Sequence, residues 1–145
     1  MKEFDCLKLE NQLCFPLYVT SREVIKRYKP FLEQLDLTYT QYIVMMVLWN
    51  NNEVNVKKLG KKLFLDSGTL TPLLKKLENK GYIERKRSNS DERNLIITIT
   101  KKGKLLKEEA KNIPVKVGSC IKLDEIDALE LYRLLYKVLD SINEK

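Results

Sequence analysis

Apolar residues Leu13, Leu17, Val24, Ile25, Tyr28, Phe31, Leu32 and Leu35 recur at three- and four-residue steps. That spacing fills one face of a helix and predicts a first helix over about 13–34. Pro16 fits its first turn, where the missing N–H would be unpaired anyway, and sets the start near Cys14. A second helix is expected over about 39–49, with Thr38 as N-cap and Gln41 three residues on, as in a capping box. Its run Tyr42–Trp49 is apolar nearly all round, which predicts central burial. A third helix should begin after Asn55 and end near Leu63. A fourth should be capped by Asp66 or Ser67, carry Pro72 early, and end at Lys80 before Gly81 in a C′ position. The period then changes from helical to alternating: Ile96 and Thr98 against Ile97 and Ile99. Strands are expected over about 82–87 and 94–99, with 88–93 as the exposed turn. Thr100 should cap a fifth helix over about 101–113, stopped by Pro114. A last helix over about 124–143 carries a wide apolar stripe from Ile126 to Ile142.

Helix, turn, helix and hairpin in this order give a mainly α fold with a small β-hairpin wing, a winged helix-turn-helix. The 145 residues are expected to form one domain. About 36–100 would be its DNA-binding lobe, and about 9–35 and 101–145 its dimerisation helices. One lobe of this size cannot cover both the long first helix and the last stripe, so a second copy of the chain is the economical partner.

Charge sharpens this picture. Residues 56–107 hold 15 Lys/Arg and 5 Asp/Glu, a surplus of +10, whereas the rest of the chain holds 12 and 15, a deficit of 3. A basic surplus confined to the helix-turn-helix and hairpin is what a phosphate-binding surface requires. The fourth helix is the expected reader of the major groove. Ser67, Thr69 and Thr71 are its small polar residues for base edges or phosphates, and Lys75 and Lys76 suit phosphates. Arg85 and Arg87 on the first strand, with Asp91 and Arg93 at the wing, complete the surface. Arg93 is the best minor-groove probe, because a guanidinium is drawn to narrow A·T tracts. No aromatic platform sits among these residues, which disfavours RNA.

The chain has no histidine and three cysteines, Cys6, Cys14 and Cys120. An odd, widely spaced set is neither a disulfide framework nor a zinc knuckle, so no metal and no cofactor are expected. Lack of histidine removes His-based general base catalysis and His–Cys dyads, and an enzyme is not expected. No apolar run nears the ~20 residues of a membrane span and the N-terminus lacks a signal-peptide pattern, so the default location is cytoplasmic, away from membranes. A lone cysteine in an apolar helix is commonly a buried, inert residue. Cys14 differs in having the start of a helix beside it, where free N–H groups favour an anion.

Asp91-Glu92-Arg93 followed by Leu95–Thr100 resembles the wing signature of MarR-family transcriptional regulators. Leu65–Leu77 is similar to the recognition helix of one branch, the organic hydroperoxide resistance regulators (OhrR). Asn11–Tyr18, with its Gln-Leu-Cys-Phe segment, and Leu37–Tyr42 resemble that branch's sensing region. The thiol-sensing branch also includes global regulators of the MgrA and SarZ kind. The resemblance implies a homodimeric repressor on a pseudo-palindromic operator in double-stranded DNA, released when an organic hydroperoxide oxidises the cysteine matching Cys14. It implies further that Tyr28 and Tyr39, from the neighbouring subunit, hydrogen-bond the reactive sulfur. Tyr18, one turn beyond Cys14, joins them. Cys120 falls where the two-cysteine subtype carries a resolving thiol; in the one-cysteine subtype a small cellular thiol takes that part. Other readings stay open at this stage: a MarR-type regulator answering to a phenolic ligand, a thiol peroxidase, or an architectural DNA-binding protein.

Overall fold

The computed structural model describes residues 2–88 and 91–144, with the backbone alone at 91–93. Two 3₁₀ turns, Asp5–Leu7 and Leu9–Asn11, precede helix α1 (Cys14–Glu33). Helix α2 (Tyr39–Asn51), strand β1 (Glu53–Asn55), helix α3 (Val56–Leu63) and helix α4 (Ser67–Asn79) follow. Strands β2 (Ile83–Ser88) and β3 (Asp91–Ile99) lead to helices α5 (Lys101–Ala110), α6 (Ile113–Gly118) and α7 (Glu125–Asn143). The chain divides into two compact units, Met1–Ile113 and Pro114–Lys145.

Local chemistry sets the element ends of the first unit. Thr38 and Gln41 form the reciprocal capping box at α2: the Gln41 amide donates to Thr38 Oγ1 at 3.3 Å, and the Thr38 amide donates to Gln41 Oε1 at 3.0 Å. Asn55 caps α3, accepting from the amides of Lys57 and Lys58. Phe64 turns the chain out of α3 with φ +55°. The Asp66 carboxylate accepts the Thr69 amide at 2.7 Å and starts α4. Gly81, at φ +80°, ends it in a conformation that penalises any Cβ. The α3–α4 approach needs glycine at 60, because a Cβ there would lie 2.8 Å from the Leu65 carbonyl oxygen.

Behind these helices lies one apolar core. Leu32, Leu35 and Leu37 meet Tyr42, Val44, Met45 and Leu48 of α2, Leu59 of α3, Leu70, Leu73, Leu74 and Leu77 of α4, and Ile83, Ile97 and Ile99 of the sheet, all buried. Each such side chain contributes about 1.5–3 kcal/mol on leaving water. Gly103 lets α5 pack close, and Trp49 Nε1 donates to its carbonyl at 2.9 Å.

Three features differ from the sequence expectation. The hairpin is part of a three-stranded antiparallel sheet of order β1-β3-β2, with Glu53 opposite Thr98 and Ile83 opposite Ile99. Strand β1 is only three residues long, too short to show a period. The fifth helix ends at Ala110, and Pro114 sits in the first turn of the separate α6, where proline is tolerated. Strand β3 begins at Asp91, inside the expected 88–93 turn, with Ser88 of β2 opposite Asp91. Among the described residues no helix is long and apolar enough to cross a membrane.

In the second unit, Asp124 caps α7 by accepting the Asp127 amide at 2.8 Å. No α7 residue is buried, and Leu131, Leu134, Leu135 and Val138 are 41–43% exposed, with Ile126 at 79% and Ile142 at 72%.

Candidate nucleic-acid interface and thiol site

Helix α4 presents its polar side outward. Ser67, Gly68, Thr69, Thr71, Lys75 and Lys76 are exposed, while its four leucines face the core. Two details refine the expected reading surface. Thr71 Oγ1 donates to the Ser67 carbonyl at 2.8 Å, so its proton is committed to the helix and only its lone pairs and methyl face outward. Pro72 has no N–H for the Gly68 carbonyl four residues back, which leaves that exposed carbonyl free of its usual helical bond. The Asp66 cap is held below the usual carboxylate range by the hydrogen bonds it accepts from Thr69.

Arg85 has a partner of its own on the recognition helix. Its Nη2 lies 3.0 Å from Glu78 Oε1 on α4, and its backbone N–H donates to Glu78 Oε2 at 3.0 Å. The Arg85 side chain is only 21% exposed and its Nε is buried without a partner. The Glu78 carboxyl is held below its ordinary range, chiefly by the hydrogen bond from Arg85. Arg85 therefore ties β2 to the recognition helix, with its Nη2 turned to Glu78. Arg87, two residues on, is exposed and makes no ion pair among the described residues. The side chains of Asp91 and Arg93, and so the wing-tip readings placed on them, lie outside the described residues.

Other lysines in the basic segment also have structural work. Lys102 Nζ donates to the Lys80 carbonyl at 2.8 Å at the end of α4, and Lys107 Nζ donates to the Trp49 carbonyl at 3.2 Å at the end of α2. Cations suit helix C-termini for the same dipolar reason that anions suit N-termini. Not all of the +10 surplus faces a ligand. Conversely, exposed Lys57, Lys58, Lys61 and Lys62 on α3 were missing from the sequence-based site, although two Lys-Lys pairs on a short amphipathic helix were there to be read. Asn55 fixes this helix against the wing: its Nδ2 donates to Asn94 Oδ1 at 2.8 Å.

The second site is on α1. Cys14 is its first residue and is exposed, as are Cys6 and Cys120, and all three thiols are free. Cys14 shares an open concavity of about 670 Å³ with Leu17, Tyr18, Ser21, Arg22, Ile25 and Lys26. These are positions i, i+3, i+4, i+7, i+8, i+11 and i+12 of one helical face. Arg22 lies 5.3 Å over the Tyr18 ring. Tyr28 is elsewhere: its ring stands 5.0 Å from Tyr39 and 5.9 Å from Tyr42 at the α1–α2 elbow. Fourteen residues of helix separate Cys14 from Tyr28, roughly 21 Å at 1.5 Å per residue. One chain therefore gathers Tyr18 with Cys14 but not Tyr28 or Tyr39. Burial, and then Tyr28, push the Tyr39 hydroxyl up, so it remains a proton donor at neutral pH. In the second unit, Cys120 lies between α6 and α7, its Sγ 3.5 Å from the Lys116 carbonyl oxygen.

A leucine-backed reading helix, a lysine-bearing helix before it and a hairpin tied to its side make this a winged-helix DNA-binding protein, and its class that of transcriptional regulators. The profile of the family described as transcriptional regulator SarA/Rot matches residues 26–110. The organic hydroperoxide resistance transcriptional regulator of Bacillus subtilis is 48% identical over 143 residues, 99% of this chain and 97% of that protein. The HTH-type transcriptional regulator SarZ of Staphylococcus aureus is 51% identical over 123 residues, 85% of this chain and 83% of that protein. Among solved structures, reduced AbfR bound to DNA superposes with a TM-score of 0.78 at 36% identity, covering 97% of this chain and 99% of that one. AbfR, solved as the protein of Staphylococcus epidermidis, is also known in a disulfide form, which superposes at 0.68. The chain belongs to the MarR-type regulators, in the branch of the organic hydroperoxide resistance regulators.

Proposed function

We propose that the protein is a homodimeric repressor that leaves a pseudo-palindromic operator when an organic hydroperoxide oxidises Cys14. The observation that carries this reading is the position of Cys14: an exposed thiol opening α1, on a face shared with Leu17, Tyr18 and Arg22. The first helical turn has N–H groups without intrahelical partners, which favour a thiolate over a thiol. The sulfur attacks the distal oxygen of the hydroperoxide. The O–O bond breaks, the alcohol leaves with a proton, and Cys14 becomes a sulfenic acid. Phe15, Leu17 and Ile25 favour a lipophilic alkyl hydroperoxide over hydrogen peroxide.

Tyr28 and Tyr39, too far along the chain to reach their own Cys14, serve the sulfur of the other subunit. The exposed stripes of α1 and α7 supply the dimer interface. In the second step, the thiol of Cys120 of the partner subunit condenses with the Cys14 sulfenic acid, forming a disulfide and releasing water. The new bond shifts the dimer so that its two α4 helices no longer sit one DNA turn apart, about 34 Å. In the reduced dimer Ser67, Thr69 and Thr71 face the bases, Lys75, Lys76 and Arg87 the phosphates, and Asp91 with Arg93 the wing contact. Peroxide is consumed stoichiometrically, with no enzymatic turnover, and the protein works in the cytoplasm where its operator is. Identity to SarZ favours a broader set of target genes as the second reading, with the same switch.

Cys14→Ser tests the claim. It should bind operator like the unmodified protein in a gel shift and stay bound after peroxide. Release of Cys14→Ser by peroxide would overturn the reading.

A further inference from the structure

The end of α4 is fastened to the α1–α2 elbow by polar contacts of Lys80 and Tyr82. Lys80 Nζ donates to the Asp36 carbonyl and to Gln41 Oε1 at 3.2 Å, and pairs with the Asp36 carboxylate at 3.3 Å. An ammonium has three protons, and here all three acceptors belong to the elbow. Its side chain is 25% exposed, so the pairing is partly shielded from water. Two residues on, the buried Tyr82 hydroxyl donates to the Leu35 carbonyl at 3.0 Å, a second link to the same turn.

The elbow is itself tightly defined. Asp36 holds φ +53°, a left-handed conformation that few non-glycine residues adopt. Gln41 is 3% exposed, and its Oε1 accepts both from Lys80 and from the Thr38 amide. The residue after Thr38 is Tyr39, whose ring meets Tyr28. One carboxamide oxygen thus joins the α2 cap, next to the tyrosine pair, to the ammonium at the end of the recognition helix.

We propose that Lys80 is the positioning residue through which displacement of the Tyr28–Tyr39 pair reaches the recognition helix. The inference rests on the reading that Cys14 oxidation drives that displacement. When the elbow moves, its carbonyl, carboxylate and carboxamide carry the ammonium with them, and Lys80 is the C-cap of α4. Without the ammonium, α4 keeps its leucine packing, its Glu78–Arg85 tie and the Lys102 cap. Operator binding by the reduced protein therefore survives, while the drag on the helix disappears.

The test uses full-length Lys80→Met, which keeps the apolar stem, and Lys80→Arg, which keeps the charge. Operator affinity is measured for the reduced protein and after one equivalent of cumene hydroperoxide, with Cys14 oxidation verified by mass. Reduced Lys80→Met should bind within about threefold of the unmodified protein. Its loss of affinity on oxidation should be at least tenfold smaller than the unmodified protein's, and Lys80→Arg should recover most of the response. A role in folding alone would weaken the reduced and oxidised forms together and leave that ratio unchanged. An unchanged ratio in Lys80→Met overturns the inference and leaves the thiol switch standing. Retention of operator by the oxidised, unmodified protein overturns both. If Lys80→Met is too unstable to purify, Lys80→Gln, which keeps a polar end without the charge, gives the same comparison.

Discussion

Arg85 and Arg87 are two residues apart on one strand, yet they do different work. Arg85 is held by Glu78, and Arg87 is open to solvent. Their removal should separate in the salt dependence of operator binding. The slope of log affinity against log salt drops by about 0.9 for each DNA phosphate that the protein no longer neutralises. Arg87→Gln should lower the slope, whereas Arg85→Gln and Glu78→Gln should weaken binding and leave it unchanged. A reduced slope for Arg85→Gln would mean that Arg85 touches the backbone of DNA. Sequence could not tell these arginines apart, because the partner of Arg85 comes from a different element. By contrast, the place of Cys14 at the start of a helix, with Tyr18 one turn on, was legible, because Pro16 marks a first turn and i+4 follows the helical step.

Among elements, the recognition helix depends on how it begins. The Asp66 carboxylate accepts the Thr69 amide, and this bond holds its ionisation below the ordinary range. A group whose folded pKa is depressed stabilises the fold above its unfolded value, near 4, and that contribution fades as pH falls below it. Asp66→Asn keeps an oxygen acceptor and should melt near the unmodified protein at pH 7, with a smaller loss of stability on acidification. Asp66→Ala should melt lower and bind operator more weakly. An Asp66→Ala protein with unchanged melting temperature would show that the cap contributes nothing. Thr38→Ala, which breaks the capping box of α2, should cost about 1 kcal/mol in chemical denaturation. Caps, Pro16 and Gly81 made these helix boundaries readable from sequence to within a residue or two. Strand β1 and α6 were not, because three- and six-residue elements have too little period to register. Their form comes from β3 pairing and from the tolerance of Pro114 in a first turn.

On the scale of the whole molecule, the chain leaves large apolar faces uncovered. Leu131, Leu134, Leu135 and Val138 of α7 are exposed together, as are Leu17 and Ile25 of α1. Leu135→Glu should place a charge in the proposed dimer interface, shift the protein toward monomer in sedimentation, and lower operator affinity at least tenfold. A fully dimeric Leu135→Glu protein would move the interface elsewhere. The charge asymmetry of the sequence pointed to the DNA-binding side, although Lys80, Lys102 and Lys107 prove to hold helix ends. The distance between Cys14 and the tyrosine pair means that the proposed switch needs two chains. The most direct measurement is non-reducing mass spectrometry after one equivalent of cumene hydroperoxide, with a gel shift on the same sample. A Cys14–Cys120 linked dimer that has released the operator is the expected result, and a modification at Cys14 alone with binding abolished would assign the resolving step to a small thiol. An unmodified Cys14, or an oxidised Cys14 with the operator still bound, would contradict the peroxide switch.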